Sequence, residues 1–135
     1  MTLAWTEKLN LGVQEIDDDH KQLVDLMNRL EVQSADGKGF AIIRATFMAL
    51  IQKTEQHFED EEAFMDSMHY PEATRHKFIH SKLLKDLKAH YEDFLASHKV
   101  SEKTFQFLTL WLRAHITIID KKYVDHSHGA VKKIA

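Results

Sequence analysis

Histidines and carboxylates at helical spacing are the residues of this sequence that could do chemistry. His57 and Glu61 are four residues apart, as are His76 and His80. Residues four apart on an α-helix leave the same face, one turn from each other. Three more residues of these types stand elsewhere in the chain: His20, His115 and Asp120. Imidazole and carboxylate ligands without sulfur suit iron, zinc, copper or manganese.

Two of these ionisable residues interrupt an apolar stripe. The second predicted helix covers about residues 40–67, and its stripe alternates steps of four and three: Ile43, Phe47, Leu50, Thr54, His57, Glu61, Phe64 and Met68. Burying an unpaired ionisable side chain in such a stripe costs several kcal/mol. His57 and Glu61 therefore need partners or a metal ion.

The elements that would position these residues are four amphipathic helices. With 4 Gly and 1 Pro in 135 residues, the chain has little turn chemistry, which favours an all-α fold. We predict an N-terminal arm (1–16), an up-down-up-down four-helix bundle (17–124) and a short C-terminal tail (125–135), forming a single domain. Local signals set the boundaries: Asp17 as first N-cap, a loop at Ser34–Gly39, Pro71 opening the third helix and Ser101 as fourth N-cap.

The predicted topology brings the seven candidate residues together. In such a bundle the starts of odd-numbered helices and the ends of even-numbered helices share one end. At 1.5 Å per residue, all seven lie about 5–15 Å from that end, in one layer. His115 and Asp120 are five apart, about 140° around a regular helix, so both cannot face this layer. We therefore predict a π-like turn or another break between them.

The number of ligands indicates two metal ions. Seven ligands exceed the four that zinc usually takes. Two six-coordinate ions have twelve positions, and five histidines, two bridging carboxylates and a shared oxo or hydroxo group fill eleven of them. The position left over would bind a small ligand.

Composition excludes several other classes. A net charge of −3 without a basic block argues against a nucleic-acid partner. No apolar run reaches the roughly 18 residues of a membrane span, and the N-terminal sequence has no apolar signal segment. The chain has no cysteine, which removes disulfides and thiolate chemistry. We expect a cytoplasmic protein that is a monomer or a weak oligomer.

Several motifs taken together resemble the hemerythrin family, specifically its single-domain bacterial members, over nearly the whole chain. They are Trp5 and Gly12 ahead of IDDDH, then HFEDEE, YPEATRHKFIH, and WLRAHITIID ahead of Tyr123. One departure is Asp19, where bacterial relatives commonly carry Gln. It leaves the ligand set intact but could change the polarity around it.

The resemblance implies two iron ions and the ligands of each. The seven ligands fall into three groups: His76, His80 and His115 on one iron, His20 and His57 on the other, and Glu61 and Asp120 bridging both together with an oxo or hydroxo group. The iron with two histidines keeps the open position. Five further residues match the family's apolar ligand pocket, with core packing as the alternative role: Leu23, Phe58, Trp111, Leu112 and Ile116.

The function that the resemblance implies is reversible O2 binding, as a carrier, store or sensor, without enzymatic turnover. The residues agree, because imidazoles dominate this site whereas oxygen-activating di-iron bundles use mostly carboxylates. Two alternatives stay open. One is a di-iron enzyme acting on peroxide, nitric oxide or O2, which turnover assays would reveal. The other is metal storage or structural zinc, which metal analysis would reveal.

Overall fold

The protein is an all-α bundle, as predicted. The computed structural model describes residues 5–6, 9–122 and 125–126, and only the backbone of Ile118 and Ile119. This described part contains no strand, and its elements follow in order: α1 (Gln14–Ala35), α2 (Phe40–Ser67), α3 (Ala73–Ser97), α4 (Glu102–Ala114) and a π-helical segment (His115–Asp120). None of its helices is long and apolar enough to cross a membrane.

Short connections join the helices. Because only a few residues separate neighbours, consecutive helices run antiparallel, and α2 packs against both α1 and α3 while α4 packs against α1. At the end of α3, His98 adopts a left-handed conformation (φ 63°) and its N–H donates to the Phe94 carbonyl at 2.7 Å, closing the helix. The starts of α1 and α3 and the ends of α2 and α4 therefore meet at one end of the bundle.

The predicted N-cap of α1, Asp17, is wrong, because the observed N-cap is Val13, four residues earlier. The helix begins at Gln14, and Asp17 lies inside its first turn, where its carboxylate accepts hydrogen bonds from the N–H groups of Leu11 (2.7 Å) and Gly12 (3.1 Å). Gly12 has φ 90°, a conformation that glycine adopts without steric cost. The carboxylate therefore fixes the incoming chain rather than capping the helix.

The other predicted boundaries have mixed outcomes. Ser101 is the N-cap of α4, as predicted, and its hydroxyl accepts the N–H of Thr104 at 3.2 Å. Helix α3 begins at Ala73, two residues later than Pro71. In the segment predicted as a tail, Asp125 and His126 are helical, while 127–135 lie outside the described residues.

The predicted break between His115 and Asp120 is confirmed. These six residues form a π-helix, whereas α4 before them is regular. A π-turn contains more residues than an α-turn, so side chains five apart return to the same face. Both His115 and Asp120 are consequently buried, at 2% and 0% exposure.

An aromatic cluster fills the end of the bundle opposite the histidines. Phe47 and Phe94 are fully buried with ring centroids 5.7 Å apart, and Tyr91 lies 5.1 Å from Phe47. Phe47 is ten residues before His57, about 15 Å along α2. This half of the core is apolar and separate from the histidine layer.

We expect Phe47→Ala to lower the free energy of unfolding by about 3–5 kcal/mol, because it removes a fully buried ring and leaves a cavity. Urea denaturation measures the change. Phe78→Ala is the matched control: Phe78 is 71% exposed, and its loss should change stability by about 0.5 kcal/mol or less. Equal effects of the two substitutions would contradict the core described above.

Candidate metal centre

The seven residues singled out from the sequence come together in the interior. None of them is more than 3% exposed. They form two sets whose ligand atoms lie within 4.8 Å of one another: Glu61, His76, His80, His115 and Asp120 in one, and His20, His57, Glu61 and Asp120 in the other. Each set could hold a metal ion, and the two sets share both carboxylates.

Asp120 lies between the two sets. Its Oδ1 is 3.0 Å from His76 Nε2 and 2.9 Å from His115 Nε2. Its Oδ2 is 2.8 Å from His20 Nε2 and 3.9 Å from His57 Nε2. The two oxygens of one carboxylate thus face different histidines, which is the arrangement of a bridging ligand.

Glu61 also contacts both sets. Its Oε1 is 3.0 Å from His57 Nε2, 3.2 Å from His115 Nε2 and 3.4 Å from His80 Nε2. The four-residue spacing from His57 places the carboxylate one turn further along α2, directed at the same interior. A single oxygen therefore lies close to histidines from three helices.

Two of the histidines are held from outside by carboxylates. Since a carboxylate only accepts, His57 donates Nδ1–H to Asp19 (3.0 Å) and His80 donates Nδ1–H to Glu62 (3.0 Å). The Nε2 lone pair of each ring is then directed at the interior. Histidines that bind metals almost always donate their other N–H in this way.

The unpaired atoms of the site fit a pair of metal ions. His57 Nε2 is buried, and although Glu61 Oε1 lies 3.0 Å away, no partner in the described part of the chain meets it with hydrogen-bond geometry. The Nε2 atoms of His80 and His115 face each other at 3.3 Å, so that one must carry a proton for the other to accept. A cation coordinated by these lone pairs would remove both mismatches, and the nitrogen and oxygen donors suit iron.

In the absence of metal ions, protonated histidines would balance the negative charge of the two carboxylates. Burial works to lower the pKa of His57, but the charge of Glu61 and the contacts with the Asp120 and Asp19 carboxylates raise that pKa well above its usual value. Burial likewise opposes a charged His115, yet Asp120 and Glu61 raise its pKa to about 9. Metal ions would therefore displace protons from these rings.

The two buried carboxylates stay ionised for the same reason. Burial and mutual repulsion work to raise the pKa of Glu61, but His57 and His115 bring it well below its usual range. Burial opposes ionisation of Asp120 as well, and its contacts with His115, His20 and His57 lower its pKa. Acids and imidazoles neutralise each other in this site.

Aromatic rings pack directly on one side of the site. The Phe58 ring stacks on the imidazole of His80, with centroids 3.8 Å apart and planes 2° from parallel. Trp111 lies edge-on, 5.8 Å from both Phe58 and His115. The other three residues predicted for the ligand pocket are fully buried in the same core: Leu23, Leu112 and Ile116. Their role as a pocket wall stays a prediction.

Two residues beside the site were not predicted from the sequence. Lys53 was not singled out, yet its Nζ donates to Asp19 Oδ1 at 2.7 Å, behind His57. Glu62 was assigned no role from the sequence either, but its carboxylate accepts a hydrogen bond from His80. A signal for Lys53 existed, because it precedes His57 by one turn on the same helix.

This fold and site define a class: helical bundles that bind metal with histidines and carboxylates from all their helices. The chain matches the family described as hemerythrin HHE cation binding domain over residues 11–126. It is 33% identical to the bacteriohemerythrin of Pseudomonas aeruginosa over 123 residues, 91% of this chain and 80% of that protein. It is 30% identical to the myohemerythrin of Theromyzon tessulatum over 119 residues, 88% of each chain.

A solved structure agrees. The crystal structure of wild-type hemerythrin superposes with a TM-score of 0.84 at 31% identity, covering 93% of this chain and 97% of the other. The chain belongs to the hemerythrin family.

The stability of the metal-free protein should depend on pH through these histidines. His115 has its pKa raised from 6.5 to about 9 on folding, so its stabilising contribution is complete below pH 6.5 and is lost as pH rises towards 9. We expect the melting temperature of metal-free protein to fall across this range. Metal-loaded protein, whose imidazoles stay neutral, is the control and should show no such fall. Identical profiles for the two forms would contradict the charged-histidine description.

Proposed function

We propose that this protein binds O2 reversibly at a non-haem pair of iron ions. One observation carries the proposal: nine-tenths-buried histidines and carboxylates divide into a set of five and a set of four that share two carboxylates. Membership of the hemerythrin family supports the same function.

The two sets would hold the two irons differently. His76, His80 and His115 would bind one iron, and His20 and His57 the other, with Glu61 and Asp120 bridging both alongside an oxo or hydroxo group. The set of four provides one ligand fewer. The iron held by His20 and His57 would therefore keep the open position.

The residues around the irons would determine that bound O2 is released as O2 rather than reduced further. Two ferrous ions held by these residues would supply the electrons for reversible O2 binding. The chain's part is to supply mainly neutral ligands and to exclude water. Phe58, Leu112 and Ile116 are at most 1% exposed and carry no polar side-chain atom, so they offer no proton to a ligand in the site.

Competing functions differ in what they need. A di-iron enzyme acting on peroxide, nitric oxide or O2 would consume its substrate, whereas storage or structural zinc would give no O2-dependent colour. Three further statements stay predictions: a cytoplasmic location, a monomeric or weakly oligomeric state, and the absence of a nucleic-acid partner. Whether O2 is carried, stored or sensed is a matter of binding affinity and context.

Colour cycling tests the function directly. Reduced anaerobic protein should be nearly colourless, become coloured in air and lose the colour under argon over repeated cycles, followed by visible absorption. His57→Ala is the control, since it removes a ligand of the open iron and should abolish the cycle and lower the metal content. Irreversible oxidation with product in solution would instead establish the enzyme.

The apolar wall has its own test. Ile116→Glu should increase the rate at which aerobic protein oxidises irreversibly, because its carboxyl group brings water and a source of protons beside the site. Ile43→Glu, at an equally apolar position that is 6% exposed but about 21 Å before His57 along α2, is the matched control and should leave the rate unchanged. An equal rate in all three proteins would leave Ile116 a packing role only.

A further inference from the structure

A lysine and an aspartate form a chain of hydrogen bonds that ends on one histidine of the site. Lys53 Nζ donates to Asp19 Oδ1 at 2.7 Å, and His57 donates Nδ1–H to Asp19 Oδ2 at 3.0 Å. The Lys53 and Asp19 side chains are 14% and 17% exposed, and that of His57 is fully buried. The contacts are therefore short and largely shielded from water.

The hydrogen bonds from Lys53 through Asp19 reach a histidine of only one of the two sets. His57 belongs to the set of four, which would keep the open position. In the other set, His80 has a comparable partner in Glu62, but that carboxylate is 30% exposed and so more strongly screened by water. The shielded charges thus act on the metal that would meet the exogenous ligand.

Opposite electrostatic effects are expected from the two members. A carboxylate that accepts the Nδ1–H of a metal-binding imidazole fixes its tautomer and makes Nε2 a stronger donor. A lysine bound to that carboxylate draws negative charge away from the imidazole. At these exposures the effective dielectric constant is well below that of water, so both effects reach Nε2.

We propose that Asp19 and Lys53 are a pair of positioning residues that set how strongly His57 donates to the open metal. Asp19 orients the ring and increases its donor strength, and Lys53 limits that increase. The inference rests on the proposed function in one respect: it takes the set of His20, His57, Glu61 and Asp120 to hold a metal ion.

A purely structural role is the alternative. Asp19 lies on α1 and Lys53 on α2, so their ion pair also ties together the two helices that carry His20 and His57. If that were its whole role, breaking the pair from either side would have the same consequence. Electrostatic tuning instead requires that removing the negative member and removing the positive member act in opposite directions.

The test measures the affinity for Co2+ and the reduction potential of the iron-loaded protein in three variants. Asp19→Asn should weaken Co2+ binding about 10–100-fold and raise the potential. Lys53→Met should strengthen Co2+ binding and lower the potential. The double variant, which has the same net charge as the native pair, should lie between the two single variants on both measures.

Two further proteins make the result decisive. Lys88→Met is the matched control, because Lys88 pairs with Glu55 at 3.3 Å on the exposed surface, and it should change neither quantity. Lys53→Arg, which keeps the charge, should restore native values. If Asp19→Asn does not fold, Asp19→Ala is made in the Lys53→Met protein instead. Lys53→Met should then shift the Co2+ affinity and the potential in one direction, and adding Asp19→Ala should shift both in the opposite direction.

Shifts in the same direction for both single variants, or shifts no larger than that of Lys88→Met, would overturn the inference and leave an interhelical ion pair. Its failure is distinguishable from failure of the proposed function. Co2+ affinity does not involve O2. If the protein fails the colour cycle but the Asp19 and Lys53 variants shift Co2+ affinity in opposite directions, reversible O2 binding is refuted and the role of Asp19 and Lys53 stands.

Discussion

Two carboxylates buried in the middle of a helical bundle are the constraint on which the rest of this structure depends. Glu61 and Asp120 are almost completely removed from water, and an isolated ionised carboxylate in such a place is too costly to persist. Every helix therefore contributes a partner. The imidazoles come from all four: His20 from α1, His57 from α2, His76 and His80 from α3, and His115 at the end of α4. The contacts that neutralise the carboxylates also position the residues that could hold metal ions.

The irregular end of the last helix follows from that constraint. A regular helix would direct Asp120 away from the layer, leaving the surrounding histidines with one carboxylate instead of two. The π-helical segment keeps His115 and Asp120 on one face, at the cost of poorer helical packing.

The adjacent aromatic rings of Phe58 and Trp111 show that the apolar core continues to the edge of the site. The ion pair of Lys53 and Asp19 adds an outer layer of charge behind His57.

The sequence by itself determined most of the fold and the members of the site. Apolar stripes at steps of four and three predict the four helices, because one face of each must be buried. Ionisable residues inside those stripes, as at His57 and Glu61, identify the site, because nothing else accounts for their burial. Even the break before Asp120 followed from an angle that a regular helix could not satisfy. These features are local or periodic, and a single chain contains them.

Only the tertiary structure decided the features that depend on which helices face each other. Asp17 resembles an N-cap in the sequence, but its carboxylate is used by the N–H groups of the preceding loop. Lys53 and Asp19 are 34 residues apart, and neither periodicity nor spacing predicts that they pair behind His57. Glu62 follows the inward-facing Glu61 by one position, and only the place of α3 beside α2 gives it His80 as a partner. Helical periodicity specifies which face is buried, whereas the contacts across helices depend on rotation and register that the three-dimensional packing sets.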